Sequence, residues 1–322
     1  LRQVQPNSLD LQLGGTHVRL PWSFLPGPEG VRARFAYSWN GIGHGLVLRP
    51  GQVYLFPLAI DLKLPPGIHG VCNPKSTTGR LDVFARVVTE TGEAFDTIPA
   101  GYEGELFVQV ISRSFPVLVR PGDCLVQMRL VKGKPWHPAV DAAEWVLSSG
   151  PVNPSDGFHF SADLAPKPGR APVAYRARKG TPTLDLQAIG AHAVRDFWEP
   201  VRPSDEGTLC LEPDLFYILA SRERVRIPAG VCAEMVAFDA TAGELRAHYA
   251  GFFDSGFGAG EGARVVLEVR TRDVPFLLRD GQPTFRFHLH RNLAVPDTLY
   301  GAGSSYQGQG LRLAKQFAQD SA

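Results

Sequence analysis

Short apolar runs set between closely spaced turn residues dominate this chain. Residues 52–58, 106–111, 117–120 and 285–289 are rich in Val, Phe, Tyr and Leu. Runs of that length bounded by Gly, Pro, Asn or Asp read as β-strands, because branched and aromatic side chains suit a pleated, half-buried surface. Apolar residues at helical spacing are scarce: only 139–146 (after Pro138), 191–197 and the tail 311–318 read as helices. The pattern predicts an all-β protein with few short helices.

The pattern also occurs twice. Leu9-Asp10-Leu11-Gln12 returns as Leu184-Asp185-Leu186-Gln187, and Leu48-Arg49-Pro50 with Tyr54 returns as Leu211-Glu212-Pro213 with Tyr217. Leu64-Pro65-Pro66-Gly67-Ile68 returns as Ile227-Pro228-Ala229-Gly230-Val231, and the ten residues from Arg113 return from Arg272. The spacing falls from 175 residues (9 to 184) to 163 (48 to 211) and 159 (113 to 272), as expected when strands correspond and loops differ. Four blocks in one order indicate a tandem duplication. The expected division is a first domain over 1–150, a linker over 151–168 rich in Ser, Pro, Gly and Asp, and a second domain over 169–322.

A length of 322 residues agrees with two domains. The 33 Lys+Arg against 32 Asp+Glu leave no global field to draw nucleic acid or an anionic membrane, so any anion site must be local. No apolar run is long enough to span a bilayer, and the start is not signal-like. Cys72, Cys124, Cys210 and Cys232 stand singly, without C-x-x-C, and read as buried free thiols of a cytoplasmic protein.

Two stretches break the apolar pattern. Asn73-Pro74-Lys75-Ser76-Thr77-Thr78-Gly79-Arg80-Leu81-Asp82 places hydroxyls, main-chain donors and two cations in one turn, a set suited to a polyphosphate; an ordinary solvated turn is the alternative. The matching register of the second copy, 238–243, has no Ser followed four residues later by Arg, and Arg246 is out of register. The reverse holds one hairpin later. Aligning the Arg113 and Arg272 blocks sets Gln109 opposite Glu268, an amide against a carboxylate within an apolar strand. Such a carboxylate must be solvated, paired or used.

These residues resemble a known family. Asn-Pro-Lys-Ser-Thr-Thr-Gly-Arg-Leu-Asp, then Gly101-Tyr102-Glu103-Gly104-Glu105-Leu106, Arg113-Ser114-Phe115-Pro116 and Ser305-Tyr306-Gln307-Gly308-Gln309-Gly310 look like the dCTP deaminase branch of the dUTPase-like superfamily, in double-length form. The resemblance implies two tandem distorted β-barrel (β-clip) domains, a homo-oligomer with a trimer favoured, and dCTP as substrate. It implies hydrolytic deamination to dUTP and ammonia without a protein-bound cofactor, Mg2+ entering with the triphosphate.

The resemblance also distributes roles. It makes Glu268 the base that takes a proton from the water attacking C4 of cytosine and returns protons to N3 and ammonia. It places Ser76 and Arg80 at water positioning and charge stabilisation, with Lys75 and Thr77 on the substrate. The Ala250 carbonyl is expected to hold the water, and Tyr306 and Gln309 to lie on a flexible segment that closes over the nucleotide. Relatives usually carry a lysine before that tyrosine. Ser305 stands there instead, so Lys75 or Lys315 is expected to compensate.

Because one copy holds Ser76 and Arg80 and the other Glu268, a composite site is expected. A base works best with a pKa near working pH, and desolvation moves carboxylates that way. Zinc-dependent nucleobase deaminases use a His or Cys followed by Pro-Cys-x-x-Cys, which this sequence lacks. His288 and His290 share a strand face without an evident third ligand, and read as a surface or interface pair. The alternatives are a dUTPase or bifunctional deaminase-diphosphatase, with Asp254 before Asp96 as the water-holding carboxylate, and a non-catalytic nucleotide-binding protein.

Overall fold

The computed structural model describes residues 3–133, 152–153, 157–167, 169, 171–202, 204–237, 246–247, 251–271, 273–301 and 304–318. It is nearly all β, with helical turns at Gly27–Glu29, Val31–Arg34, Ser76–Arg80 and Val194–Phe197 among those residues. The chain divides into two compact units. The first is Leu1–Lys134 with Lys179–Ala193 and Ala314–Ala322; the second is Pro135–Arg178 with Val194–Leu313.

In the first unit, Asn40–Gly41, Thr16–Leu20, Val53–Lys63, Glu103–Ser112 and Val83–Thr89 form a five-stranded sheet in that order. Leu9–Gln12, Cys124–Lys132, Ile68–Pro74 and Thr97–Ile98 form a four-stranded one. The strand Val53–Lys63 is buried throughout its first six residues and then alternates. Its register against Glu103–Ser112 shifts between Pro57 and Asp61, where the proline has no N–H to give to the ladder. Leu55, Phe107, Val18 and Phe35 share one core cluster, each such side chain contributing roughly 1.5–3 kcal/mol by leaving water.

The second unit repeats this plan. Trp198–Val201, Ala174–Ala177, Tyr217–Val225, Ala263–Arg270 and Arg246–Ala247 form one sheet. Val152–Asn153, Gly157–Ser161, Pro283–Arg291, Val231–Ala237 and Phe252–Phe253 form the other. Small contacts repeat with the sheets. The Arg49 amide donates to the Tyr54 hydroxyl at 3.1 Å, and the Glu212 amide to the Tyr217 hydroxyl at 3.1 Å. The Cys72 amide reaches the Asp96 carbonyl as the Met235 amide reaches that of Gly251.

Three sequence expectations are corrected. The counterpart of Leu9–Gln12 is Phe158–Ser161, not 184–187. Leu9 opposes Met128 and Gln12 opposes Cys124 across a register shift, while Phe158 opposes Phe287 and Ser161 opposes Pro283 across the same shift. Gly157–Ser161 is therefore a strand within the expected linker, and the stacked rings of Phe160 and Phe285, 4.9 Å apart, show why it is ordered. The second Leu-Asp-Leu-Gln instead adds Leu184–Asp185 to the first unit, parallel to Val117–Val119, and Arg120 grips both Asp185 oxygens at 2.6 and 2.7 Å.

The expected tail helix over 311–318 is not formed; its chain instead runs beside 190–192, where the amides of Gly190 and His192 donate to the carbonyls of Lys315 and Gln316. Of the other expected helices, 191–197 shrinks to Val194–Phe197, and 139–146 lies outside the described residues. All four cysteines are free thiols, but only Cys72 and Cys232 are buried, and Cys210 is exposed. Among the described residues no helix is long and apolar enough to cross a membrane.

Candidate active site

The stretch expected as a turn is a single helical turn, Ser76–Arg80, entered from the strand Ile68–Pro74. Lys75 stays extended ahead of it, and the chain leaves through Asp82, whose positive φ of 56° is tolerated by a short polar side chain. Asp82 is fully buried; the Ser114 hydroxyl donates to its carboxylate at 2.5 Å and the Arg113 amide to its carbonyl at 2.9 Å. The Lys-Ser-Thr-Thr-Gly-Arg and Arg-Ser-Phe-Pro motifs are thus one construction. The Thr78 hydroxyl anchors the turn on the Leu125 carbonyl at 2.7 Å, and Arg80 is 3 % exposed.

Beside this turn the first unit has a pocket of about 360 Å³, lined by Asp10, Lys75, Thr77, Asp123, Gln187 and Lys315 among others. The Lys75 ammonium is paired with the Asp10 carboxylate. Gln187 donates to Asp123 at 2.9 Å. Burial, and then the charge of Lys75, pull the Lys315 ammonium below the ordinary lysine range. The Cys124 thiol is pushed up to about 11, first by burial and then by Asp10. The structure thus brings together Lys75, Thr77 and Lys315, the two lysines considered for phosphate from sequence. Asp10 went unnoticed as a partner, although a carboxylate in the alternating run Leu9-Asp10-Leu11 was a signal for it.

Glu268 lies in the second unit. In the ladder, Ile218 opposes Glu268 and Tyr217 opposes Val269, while Leu55 opposes Gln109 and Tyr54 opposes Val110. Gln109 and Glu268 therefore occupy one position in two copies, as the sequence register required. Glu268 is 6 % exposed, which excludes the solvent-facing strand position considered for it. The neighbouring guanidinium of Arg270 is turned to the Asp214 carbonyl and lies 5.6 Å from the Phe216 ring centre.

Residues 304–313 of the C-terminal segment pack within the second unit. The Gln309 carboxamide donates to the Arg264 carbonyl at 3.0 Å and the Gln309 main-chain carbonyl accepts from the Arg264 amide at 2.9 Å, four residues from Glu268 on the same strand. Gln307 accepts from the Gly258 amide at 2.8 Å and donates to the Gly256 carbonyl at 3.1 Å. Gly258, at φ 73°, is required: a Cβ there would sit 2.0 Å from the Val225 carbonyl oxygen. Tyr306 is buried, its amide on the Tyr300 hydroxyl at 3.1 Å and Arg312 stacked 5.8 Å from its ring centre.

Other candidates resolve differently. Ala250 and the comparison stretch 238–243 lie outside the described residues. Asp96 is engaged by Arg86 and by the Val87 amide at 2.8 Å; burial raises its carboxyl above the usual range and Arg86 opposes that. Asp254 is buried and its carbonyl accepts from the Phe257 amide. His290 is not a surface residue, since it is buried with Nε2 3.2 Å from Glu234. Among the described residues no group of three or more His, Cys, Asp or Glu is placed to hold a metal ion.

Comparison with known proteins also divides the chain into two parts. Residues 1–134 match the family model of the 2'-deoxycytidine 5'-triphosphate deaminase (DCD) N-terminal domain, and residues 138–317 match that of its C-terminal domain. A dCTP deaminase of Aeropyrum pernix is 30% identical over 130 residues, 40% of this chain and 68% of the relative. A dUMP-forming dCTP deaminase of Sulfurihydrogenibium is 26% identical over 137 residues, 40% of this chain and 70% of the relative. The crystal structure of 2'-deoxycytidine 5'-triphosphate deaminase from Agrobacterium tumefaciens superimposes with a TM-score of 0.86 at 41% identity, covering 92% of each chain. With both halves matched in order over nearly the whole length, the chain belongs to the dCTP deaminase family.

Proposed function

We propose that this chain hydrolyses dCTP to dUTP and ammonia. The observation that carries the reading is the buried carboxylate of Glu268, standing where the other copy has Gln109, in a chain of the dCTP deaminase family. Glu268 takes a proton from water as its oxygen adds to C4 of cytosine. N3 receives a proton, the C4–N4 bond breaks, and the amino group leaves as ammonia with a proton returned through Glu268. Water and dCTP are consumed, and the ring carbonyl of dUTP is formed.

Ser76 and Arg80 are assigned to positioning the water and stabilising charge near the base, and the Ala250 carbonyl to holding the water. Lys75 and Thr77 are assigned to the triphosphate, with Lys315 beside them. Tyr306 and Gln309 are assigned to the nucleotide side of the docked C-terminal segment. Magnesium arrives with the substrate, bridging phosphate oxygens. Each unit is read as a dUTPase-like β-clip, supported by its repeated sheets, and the chain as a trimer in the cytoplasm.

Incubation with dCTP and Mg2+, resolving ammonia, pyrophosphate and the nucleotide product, tests the reading. Equal ammonia and dUTP without pyrophosphate is the expected result. Pyrophosphate with dUMP would assign diphosphatase chemistry as well, and binding without turnover would leave a nucleotide-binding protein.

A further inference from the structure

Gln109 holds in the first unit the position that Glu268 holds in the second, and its carboxamide makes three hydrogen bonds to a two-residue segment, Ser23-Phe24. Gln109 is 2 % exposed. Its oxygen accepts from the Phe24 amide at 3.1 Å and the Ser23 hydroxyl at 2.8 Å, and its nitrogen donates to the Phe24 carbonyl at 2.5 Å. One carboxamide thereby reads both main-chain polar groups of a single residue, with donor and acceptor matched as they would be against the amide-like edge of a small ligand.

The strap is seated by its side chain as well. The Phe24 ring packs edge-on against Phe35 at 5.2 Å and Trp22 at 5.9 Å, with the Arg34 guanidinium 5.7 Å from its centre. Phe35 belongs to the same core cluster as Leu55, the ladder partner of Gln109. A carboxylate at 109 would keep the two acceptor contacts but face the Phe24 carbonyl with no proton between them, leaving two buried oxygens opposed. The amide and the strap therefore require each other.

We propose that the 109 position of the first unit is a ligand-reading site filled by the chain's own Ser23-Phe24 peptide, which stands where a nucleobase would stand at Glu268. The first unit then offers no second deamination centre. The role of Glu268 enters only in naming what the strap displaces; the contacts of the strap stand without it.

Residue-resolved hydrogen exchange on the whole chain tests this. In the wild type the Phe24 amide is expected to be as protected as those of the Glu103–Ser112 strand. In Gln109→Glu at pH 8 it exchanges about tenfold faster relative to wild type, the loss of one hydrogen bond. That difference closes as pH falls through the titration of the introduced carboxyl, which burial raises above the ordinary value of roughly 4, because the protonated form again donates to the carbonyl.

An unprotected Phe24 amide in the wild type overturns the proposal, as does a Gln109→Glu difference that is absent or independent of pH. So does a fall of about tenfold or more in kcat/KM for dCTP with exchange unchanged, since Gln109 would then be handling substrate. Should Gln109→Glu fail to fold, Ser23→Ala reads the same site. Faster exchange confined to residues 22–25 supports the strap, and unchanged exchange overturns it. Retained deamination in Glu268→Gln would sink the proposed function while leaving the strap intact.

Discussion

Lys75 directs its ammonium onto the Asp10 carboxylate, so the first cation of the Lys-Ser-Thr-Thr-Gly-Arg stretch is already neutralised within its own unit. Asp10 is 5 % exposed, whereas Lys75 keeps part of its side chain in solvent. Lys75→Met should leave the buried Asp10 carboxylate with the Gln5 carboxamide at 3.2 Å but without its ion-pair partner, and cost about 2 kcal/mol, less than a fully buried pair because the lysine is partly hydrated. Adding Asp10→Asn should return most of that loss in equilibrium denaturation. A double variant as unstable as Lys75→Met would show that the pair is not the cause.

For the chemistry, Glu268→Gln should lower kcat for dCTP deamination by about 10²–10⁴ while calorimetric affinity for dCTP changes little. Gln109→Ala should leave kcat near wild type. Wild-type turnover in Glu268→Gln would remove this residue from the reaction.

The repeated tyrosine contact gives a paired stability test. Tyr54→Phe and Tyr217→Phe each delete the acceptor for one amide, that of Arg49 and that of Glu212, and each should cost about 1 kcal/mol. Strongly unequal losses in thermal or denaturant unfolding would mean that this contact contributes differently in the two copies.

Acid should release the segment that carries Leu184–Asp185. The Arg120 guanidinium holds the Asp185 carboxyl down at about 2. A depressed folded-state pKa contributes stability that is present above the ordinary carboxylate value of roughly 4 and lost as pH falls through the folded value. The stability difference between wild type and Arg120→Gln should therefore hold steady at neutral pH, shrink below roughly pH 4 and vanish near 2. A difference that persists below that range would show that Arg120 acts through packing.

Most of the candidate site was legible because its residues interrupt an otherwise apolar pattern. A lysine, hydroxyls and an arginine within six residues have no place in a β-core, and Glu268 could be singled out because the duplication supplied Gln109 for comparison. Asp10 was harder to find. Its partner Lys75 lies 65 residues away, and strand alternation says only that Asp10 leaves the apolar face, not what it meets there. The docking of Gln307 and Gln309 was hidden for the same reason, since their partners are main-chain groups of a distant loop and strand.

By itself the sequence determined the strand content, the duplication from Tyr54 and Tyr217 onward, and the register that equates Gln109 with Glu268, because side-chain periodicity is a local property that sheet geometry must obey. Only the tertiary structure decided that Phe158–Ser161, not the second Leu-Asp-Leu-Gln, repeats Leu9–Gln12, that Leu184–Asp185 joins the first unit, and that 314–318 follows it there. Those choices are made by open strand edges and unfilled core surface. An edge accepts whichever strand completes its hydrogen bonds and buries its apolar face, and likeness of sequence does not name that strand.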